Sequence, residues 1–225
     1  MSADPKLEQN PAPIPYLGYN EAAELSYFGA RILHPRTFEP VIEAKIPVRL
    51  FNINDFSDDL EPVTVIREET VIREDIIKSV TYSDDFGILQ LHGAGVGIKP
   101  GIMAKVTTTL NDEQINIKSI ITSQTSINIL LSHHDLEKGL HAAKNAGLAA
   151  VDRIAAVDNI SLIAVVGEGL LEKPGIAARV FSAVSKHHIN IRMISAGASS
   201  VASYFIIAKH EREEAVKSIH KEFFG

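Results

Sequence analysis

The chain has 225 residues, 45% of them apolar and 22% charged, with a formal net charge of -6. That balance allows one large folded domain or two ordinary ones, and it gives no general attraction for nucleic acid or an acidic membrane. No apolar run approaches the ~20 residues needed to span a bilayer, the start lacks the basic and apolar regions of a secretory signal, and the absence of cysteine excludes disulfides and thiolate metal sites; a cytoplasmic protein is expected.

Residues 1–16 contain Pro5, Pro11, Pro13 and Pro15 and predict an extended or loose segment. Asn20 can cap a helix over 21–32, with Ala23, Tyr27 and Ala30 on one stripe, and Pro35 ends it. His34, just before that proline, reads as structural. A short helix over 37–43 and a strand over 47–52 follow. The charged run 68–75 reads as a solvated linker, and residues 1–70 are too few for a stable separate domain.

From residue 77 the pattern changes. Runs 77–83 and 151–157 are extended and apolar. Strands 87–92 and 161–166 each lead into a Gly-rich loop closed by Lys-Pro-Gly. Pro100 and Pro174 suit the first turn of a helix, where a missing N–H costs little. Helical spacing follows in Ile102, Val106 and Leu110, and again in Ile176, Val180 and Val184. Two β-rich runs come next in each case, 117–124 with 126–132 and 191–197 with 202–208, then a second helix, 135–146 and 212–223. Asp84-Asp85 reads as a turn. The adjacent pairs His133-His134 and His187-His188 diverge too far to chelate a metal and read as exposed.

The two halves are copies at an offset of 74 residues. Residues 93–102 align with 167–176, and Ile115-Asn116-Ile117 falls on Ile189-Asn190-Ile191, giving 12 identities in 28 gap-free positions between 93–120 and 167–194. Two copies are too few for a solenoid, so the chain holds a duplicated domain. The order β-α-β-β-α, with a further strand for each copy, predicts an α+β fold: an antiparallel sheet with two helices on one face. Simple chain order and an exchange of strands between copies are equally compatible with this pattern.

Residues 19–37, Tyr-Asn-Glu-Ala-Ala-Glu-Leu-Ser-Tyr-Phe-Gly-Ala-Arg-Ile-Leu-His-Pro-Arg-Thr, resemble the late kinase-domain signature of aspartate kinases. Ile46-Pro47-Val48-Arg49 with Asn52 resembles the strand after it, and Ala3-Asp4-Pro5 resembles a nucleotide-side loop of that domain. The repeats resemble the family's two ferredoxin-like (βαββαβ) ACT domains, one of which is inserted into the other. The resemblance therefore implies a kinase-domain remnant and linker in 1–70, a first ACT domain in 84–156, and a second in 76–83 with 157–225. It also implies a homodimer through the ACT domains, a kinase domain as partner, and ATP and Mg as cofactors of the full enzyme but not of this chain. Two departures stand out. The family's Lys-x-Gly-Gly-Ser/Thr phosphate motif is absent, and Phe51 stands where a nucleotide-binding lysine is usual. No catalytic residue is assigned, and a fragment or a separate regulatory polypeptide is expected.

The loop 95–101 delivers backbone N–H groups to a helix start, an arrangement suited to the carboxylate of a free amino acid. Strand-edge carbonyls near Asn116 and Ile117, or the amide of Asn190, can accept from the ligand's ammonium. The resemblance puts the effector in the same place, at Lys99, Pro100, Gly101, Ile102, Met103, Asn116, Ile117, Lys118 and Thr122, with Asn190 and Ile191 of the second copy completing the pocket in some members. Lysine-responsive relatives often carry an aspartate where Lys118 stands, and its repeat mate is Arg192. A cation there repels a lysine ammonium, so threonine, with Thr122, Ser123 or Gln124 as hydroxyl partners, is the expected effector over lysine. The glutamines that mark some threonine-responsive relatives are absent, Ile120 and Ala196 standing in their places. An ACT pair that only dimerises and binds nothing is the alternative.

Overall fold

The computed structural model describes residues 1–30, 33, 37–53 and 61–225. His34 and Pro35 lie outside the described residues, but the helix expected over 21–32 is corrected to Tyr19–Tyr27: it is capped at Phe28 and ends before that proline. The chain divides into two compact units. One comprises Met1–Ser83 with Leu162–Gly225, and the other is Asp84–Ser161.

The inserted unit contains β5 (Phe86–His92), α3 (Ile102–Asp112), β6 (Ile117–Thr122), β7 (Ser126–Ser132), α4 (Leu136–Asn145) and β8 (Arg153–Val157), and its sheet has the order β6-β7-β5-β8. All three strand pairings are antiparallel. Period-two alternation puts Leu89 and Leu91 of β5 and Ile127, Ile129 and Leu131 of β7 into one core. Val106 and Leu110 of α3, spaced one helical turn apart, close it with Leu136 and Ala143 of α4. Burying each of these aliphatic side chains contributes about 1.5–3 kcal/mol before cavity effects.

In the other unit, β4 (Ser79–Ser83) pairs antiparallel with β9 (Ile160–Val166), in a sheet of order β10-β11-β9-β4. Its β10 (Met193–Ser195) and β11 (Ala202–Ala208) are antiparallel as well. The helices α5 (Ile176–Ser185) and α6 (Arg212–Phe224) cover it, with Val80, Ile163, Val165, Val180, Val184, Phe205, Ile207, Val216 and Ile219 in the core. Ser83 and Leu162 are register partners at the end of the β4–β9 ladder. The chain therefore leaves this unit and returns to it at neighbouring points.

The same unit holds the N-terminal segment: β1 (Tyr16–Gly18), α1 (Tyr19–Tyr27), α2 (Phe38–Glu43), β2 (Val48–Leu50) and β3 (Thr64–Arg67). β3 pairs parallel with β1 and antiparallel with β2.

Several expectations need correction here. Residues 1–16 are not loose. Ser2 is fully buried, Ala3 and Ile14 are nearly so, and the Ser2 carbonyl accepts from the Val80 N–H at 2.8 Å along the outer edge of β4. Asn20 does not cap α1; Gly18 does, and its N–H donates to Glu21 Oε2 at 2.7 Å. Strands β1 and β3 were not foreseen, and β10 is shorter than the 191–197 run. The charged run 68–75 is largely exposed but tied down, with Glu68 paired to Lys45 and Asp75 to Arg179, each at 2.8 Å. Pro100 and Pro174 precede their helices, whose N-caps are the left-handed Gly101 (φ 87°) and Gly175 (φ 90°).

Candidate functional site

The first Gly-rich loop, residues 93–101, is shaped mostly by its own hydrogen bonds. The Ile98 and Lys99 N–H groups both donate to the Gly95 carbonyl, at 3.0 and 2.9 Å, and Val96 N–H donates to Gly93 O. Gly97 N–H donates to Gln124 O at 3.0 Å and Gly93 N–H to Thr125 O, so the loop is closed against the β6–β7 turn. Glycine is needed at 97 because a Cβ there would lie 2.3 Å from the Ser123 carbonyl oxygen. The expectation that the loop itself offers free N–H groups is thereby corrected. The donors left over are those of the first turn of α3, which no side chain caps.

The expected site residues fall into two sets. Lys99, Pro100 and Gly101 are exposed on the loop, Ile102 is buried at the helix start, and Met103 is half-buried against the first core. Asn116 is exposed just before β6, Ile117 and Lys118 are half-buried on it, and Thr122 is exposed at its end. These nine share the unit Asp84–Ser161. Asn190 and Ile191 belong to the other unit, where Asn190 is exposed and Ile191 packs against the second core. The hydroxyls of Ser123 and Ser126 bond each other at 2.9 Å in the β6–β7 turn. One group beside the loop escaped the sequence reading. His92 ends β5, and its Nε2 is buried without a hydrogen-bond partner among the described residues. Its place one residue before the glycines was the available signal.

The second loop repeats the internal bonds. Glu172 and Lys173 N–H both donate to Gly169 O, and Gly167 N–H to Val201 O. It differs in its surroundings. Leu171, 58% exposed, stands where the first loop has Gly97, and the β10–β11 connection spans 196–201 rather than the tight 123–125. Lys173 Nζ donates to the Glu74 carbonyl, and Glu168 N–H donates to Glu21 Oε1 at 2.8 Å. No His/Asp/Glu cluster able to hold a metal occurs among the described residues. Among the described residues no helix is long and apolar enough to cross a membrane.

Comparison with known proteins adds the family. Residues 81–142 and 163–223 each match an ACT domain, and residues 1–52 match the amino acid kinase family. A bifunctional aspartokinase/homoserine dehydrogenase of Buchnera aphidicola is 30% identical over 233 residues, covering 100% of this chain and 28% of the relative. Aspartokinase 1, chloroplastic, of Arabidopsis thaliana is 29% identical and aligns with 100% of this chain and 40% of its own length. Aspartate kinase of Clostridium acetobutylicum superposes with a TM-score of 0.89 at 29% identity, over 99% of this chain and 51% of that one. Aspartokinase III of E. coli, in complex with lysine and aspartate, gives 0.79 at 25% identity. This chain thus spans from about a quarter to half of the length of these relatives. It belongs to the aspartate kinase family, carrying a stretch of the amino acid kinase domain followed by two ACT domains.

Proposed function

We propose that this chain is the amino-acid-sensing region of an aspartate kinase, an enzyme that phosphorylates L-aspartate with ATP in the synthesis of lysine, threonine and methionine. The observation that carries this reading is the first loop. Gly97 closes it on the β6–β7 turn, and the first turn of α3 is left without a side-chain cap. Uncapped N–H groups at a helix start favour an anion, and the carboxylate of a free amino acid supplies one. The ligand's ammonium then falls to acceptors around Asn116–Ile117. The effector shifts the enzyme only by its difference in affinity between two states of the ACT pair. The assembly in which this happens is a homodimer joined through the ACT domains, in the cytoplasm, with ATP and Mg held by the kinase domain.

Threonine is the favoured effector, because the half-buried Lys118 on β6 repels a lysine ammonium while Thr122, Ser123 and Gln124 offer hydroxyl partners. Lysine is the second reading, favoured by the lysine-bound aspartokinase III of E. coli. Thermal unfolding with threonine, lysine, methionine and alanine separates them. A ligand at 100 times its Kd raises stability by about 2.7 kcal/mol. A shift with threonine alone supports the first reading. A shift with lysine alone keeps the sensor and overturns the argument from Lys118. No shift with any of the four turns the reading to a dimerisation module.

A further inference from the structure

Within the unit Met1–Ser83 with Leu162–Gly225, one carboxylate is shared by three elements. Glu21, fully buried in the first turn of α1, accepts through Oε2 from its own Gly18 N–H at 2.7 Å and from Lys78 Nζ at 2.6 Å. Its Oε1 accepts from Glu168 N–H, in the second Gly-rich loop, at 2.8 Å. Lys78 is 1% exposed and sits immediately before β4. The far end of α1 is fastened to the same sheet. Gly29 (φ 114°) approaches β4 so closely that a Cβ would lie 2.3 Å from the Tyr82 carbonyl oxygen, and the Phe28 ring lies 5.2 Å from that of Tyr204 on β11.

The repeat shows that these contacts are not a requirement of the ACT fold. At the 74-residue offset, the mate of Lys78 is Asp152 and the mate of Glu168 is Ala94, and both are exposed. Both copies set a carbonyl against the first glycine of the loop, Ile76 against Gly167 and Ala150 against Gly93, but the second holds its buried, β-branched Ile76 at φ 63°. Such a backbone persists only where its surroundings over-determine it, whereas its mate Ala150 is not among the residues of positive φ. A buried carboxylate with three donors cannot give up one of them without leaving a polar group unpaired, so the contacts break together or not at all.

We propose that Glu21 makes helix α1 and the 167–169 turn of the second ACT domain a single opening unit, so that any change in that turn is transmitted to the kinase segment. The physical coupling stands by itself; only its use in regulation rests on the sensing function proposed above.

Amide hydrogen exchange on the full chain tests it. In the unaltered protein, residues 19–27 and 168–170 show the same opening equilibrium, distinct from that of 94–98. In Glu21→Gln/Lys78→Met, which removes both charges so that neither is left buried alone, the two rates separate by tenfold or more. Glu168→Pro, which removes the N–H reaching Glu21 and is read at 169–170, gives the same separation with the Glu21–Lys78 pair intact. Unequal rates in the unaltered chain, or rates that stay locked in both variants, overturn the proposal. In a second arm, threonine or lysine that slows exchange at 168–170 slows it equally at 19–27, except in Glu168→Pro. If neither amino acid changes exchange or melting, the sensing function fails while the unliganded comparison still decides the coupling.

Discussion

The two Gly-rich loops share a backbone and differ in what they touch. Both close on their second glycine in the same way, Lys99 and Lys173 donating through N–H to Gly95 O and Gly169 O, and both lead into a helix through a left-handed glycine. The first is pinned to a short turn of its own sheet by Gly97. The second is pinned to the N-terminal segment through Glu21, which Lys78 also holds. Duplication conserved the fold and let the two copies diverge in the residues that face out of it: one loop stayed exposed, the other became an anchor.

The largest effect should come from breaking the anchor. Lys78→Met leaves the fully buried Glu21 carboxylate without its cation, and should cost about 3–5 kcal/mol; Asp152→Ala, at the repeat mate, should stay within about 0.5 kcal/mol. Urea unfolding of both variants gives the contrast, and equal costs would erase it. The next effect is in the first loop. Gly97→Ala drives a Cβ to 2.3 Å from a backbone oxygen, and should cost about 1–3 kcal/mol and abolish any amino-acid-induced thermal shift. Leu171→Ala, in the equivalent place of the second loop, should leave both nearly unchanged. The smallest effect is a dependence on pH. His220 of α6 is buried against Ser2 (Nε2 to Oγ 2.8 Å), where the first copy has the exposed Lys144 at the matching place, two residues having been added in the β10–β11 connection. Desolvation lowers its pKa from 6.5, and the coulombic pull of Glu8, with Oε2 3.5 Å from Nδ1, only partly opposes this. Because the folded state holds this imidazole neutral, the unfolded chain binds the proton more readily, and stability falls as pH drops below 6.5. His220→Gln should flatten that slope in melts of the whole chain; an unchanged slope would assign the proton elsewhere.

Much of the fold was legible because it was written twice. The offset that matches Gly93 with Gly167 also matches β8 with β4 and β5 with β9, and the 3.6-residue spacing in Ile102, Val106 and Leu110 places α3 on its core. What escaped was mostly non-local. Glu21 and Lys78 are 57 residues apart, and no periodicity announces that two charges will be buried together. The cap of α1 was misread because Asn20 is a better cap by type than Gly18, yet Glu21 already satisfies the Gly18 N–H. β1 and β3 are short, and β1 follows a run of prolines that local pattern assigns to loop. The first loop was legible as a place and not as a mechanism, since the bonds of Ile98, Lys99 and Gly97 consume donors that the glycine pattern seemed to offer.

The insertion at Ser83 and Leu162 has a consequence for synthesis on the ribosome. β4 leaves the exit tunnel well before the strand it must pair with, because the whole of Asp84–Ser161 is made in between. At about 5–20 residues per second, that wait lasts several seconds, ample for a small α+β domain to fold by itself. Once folded, it holds its two ends close, and the long loop between β4 and β9 closes at little further entropic cost. Nascent β4 meanwhile has a neighbour already made, the N-terminal segment whose Ser2 carbonyl bonds Val80. The order of translation therefore favours fastening the kinase segment to this strand before the second ACT sheet exists.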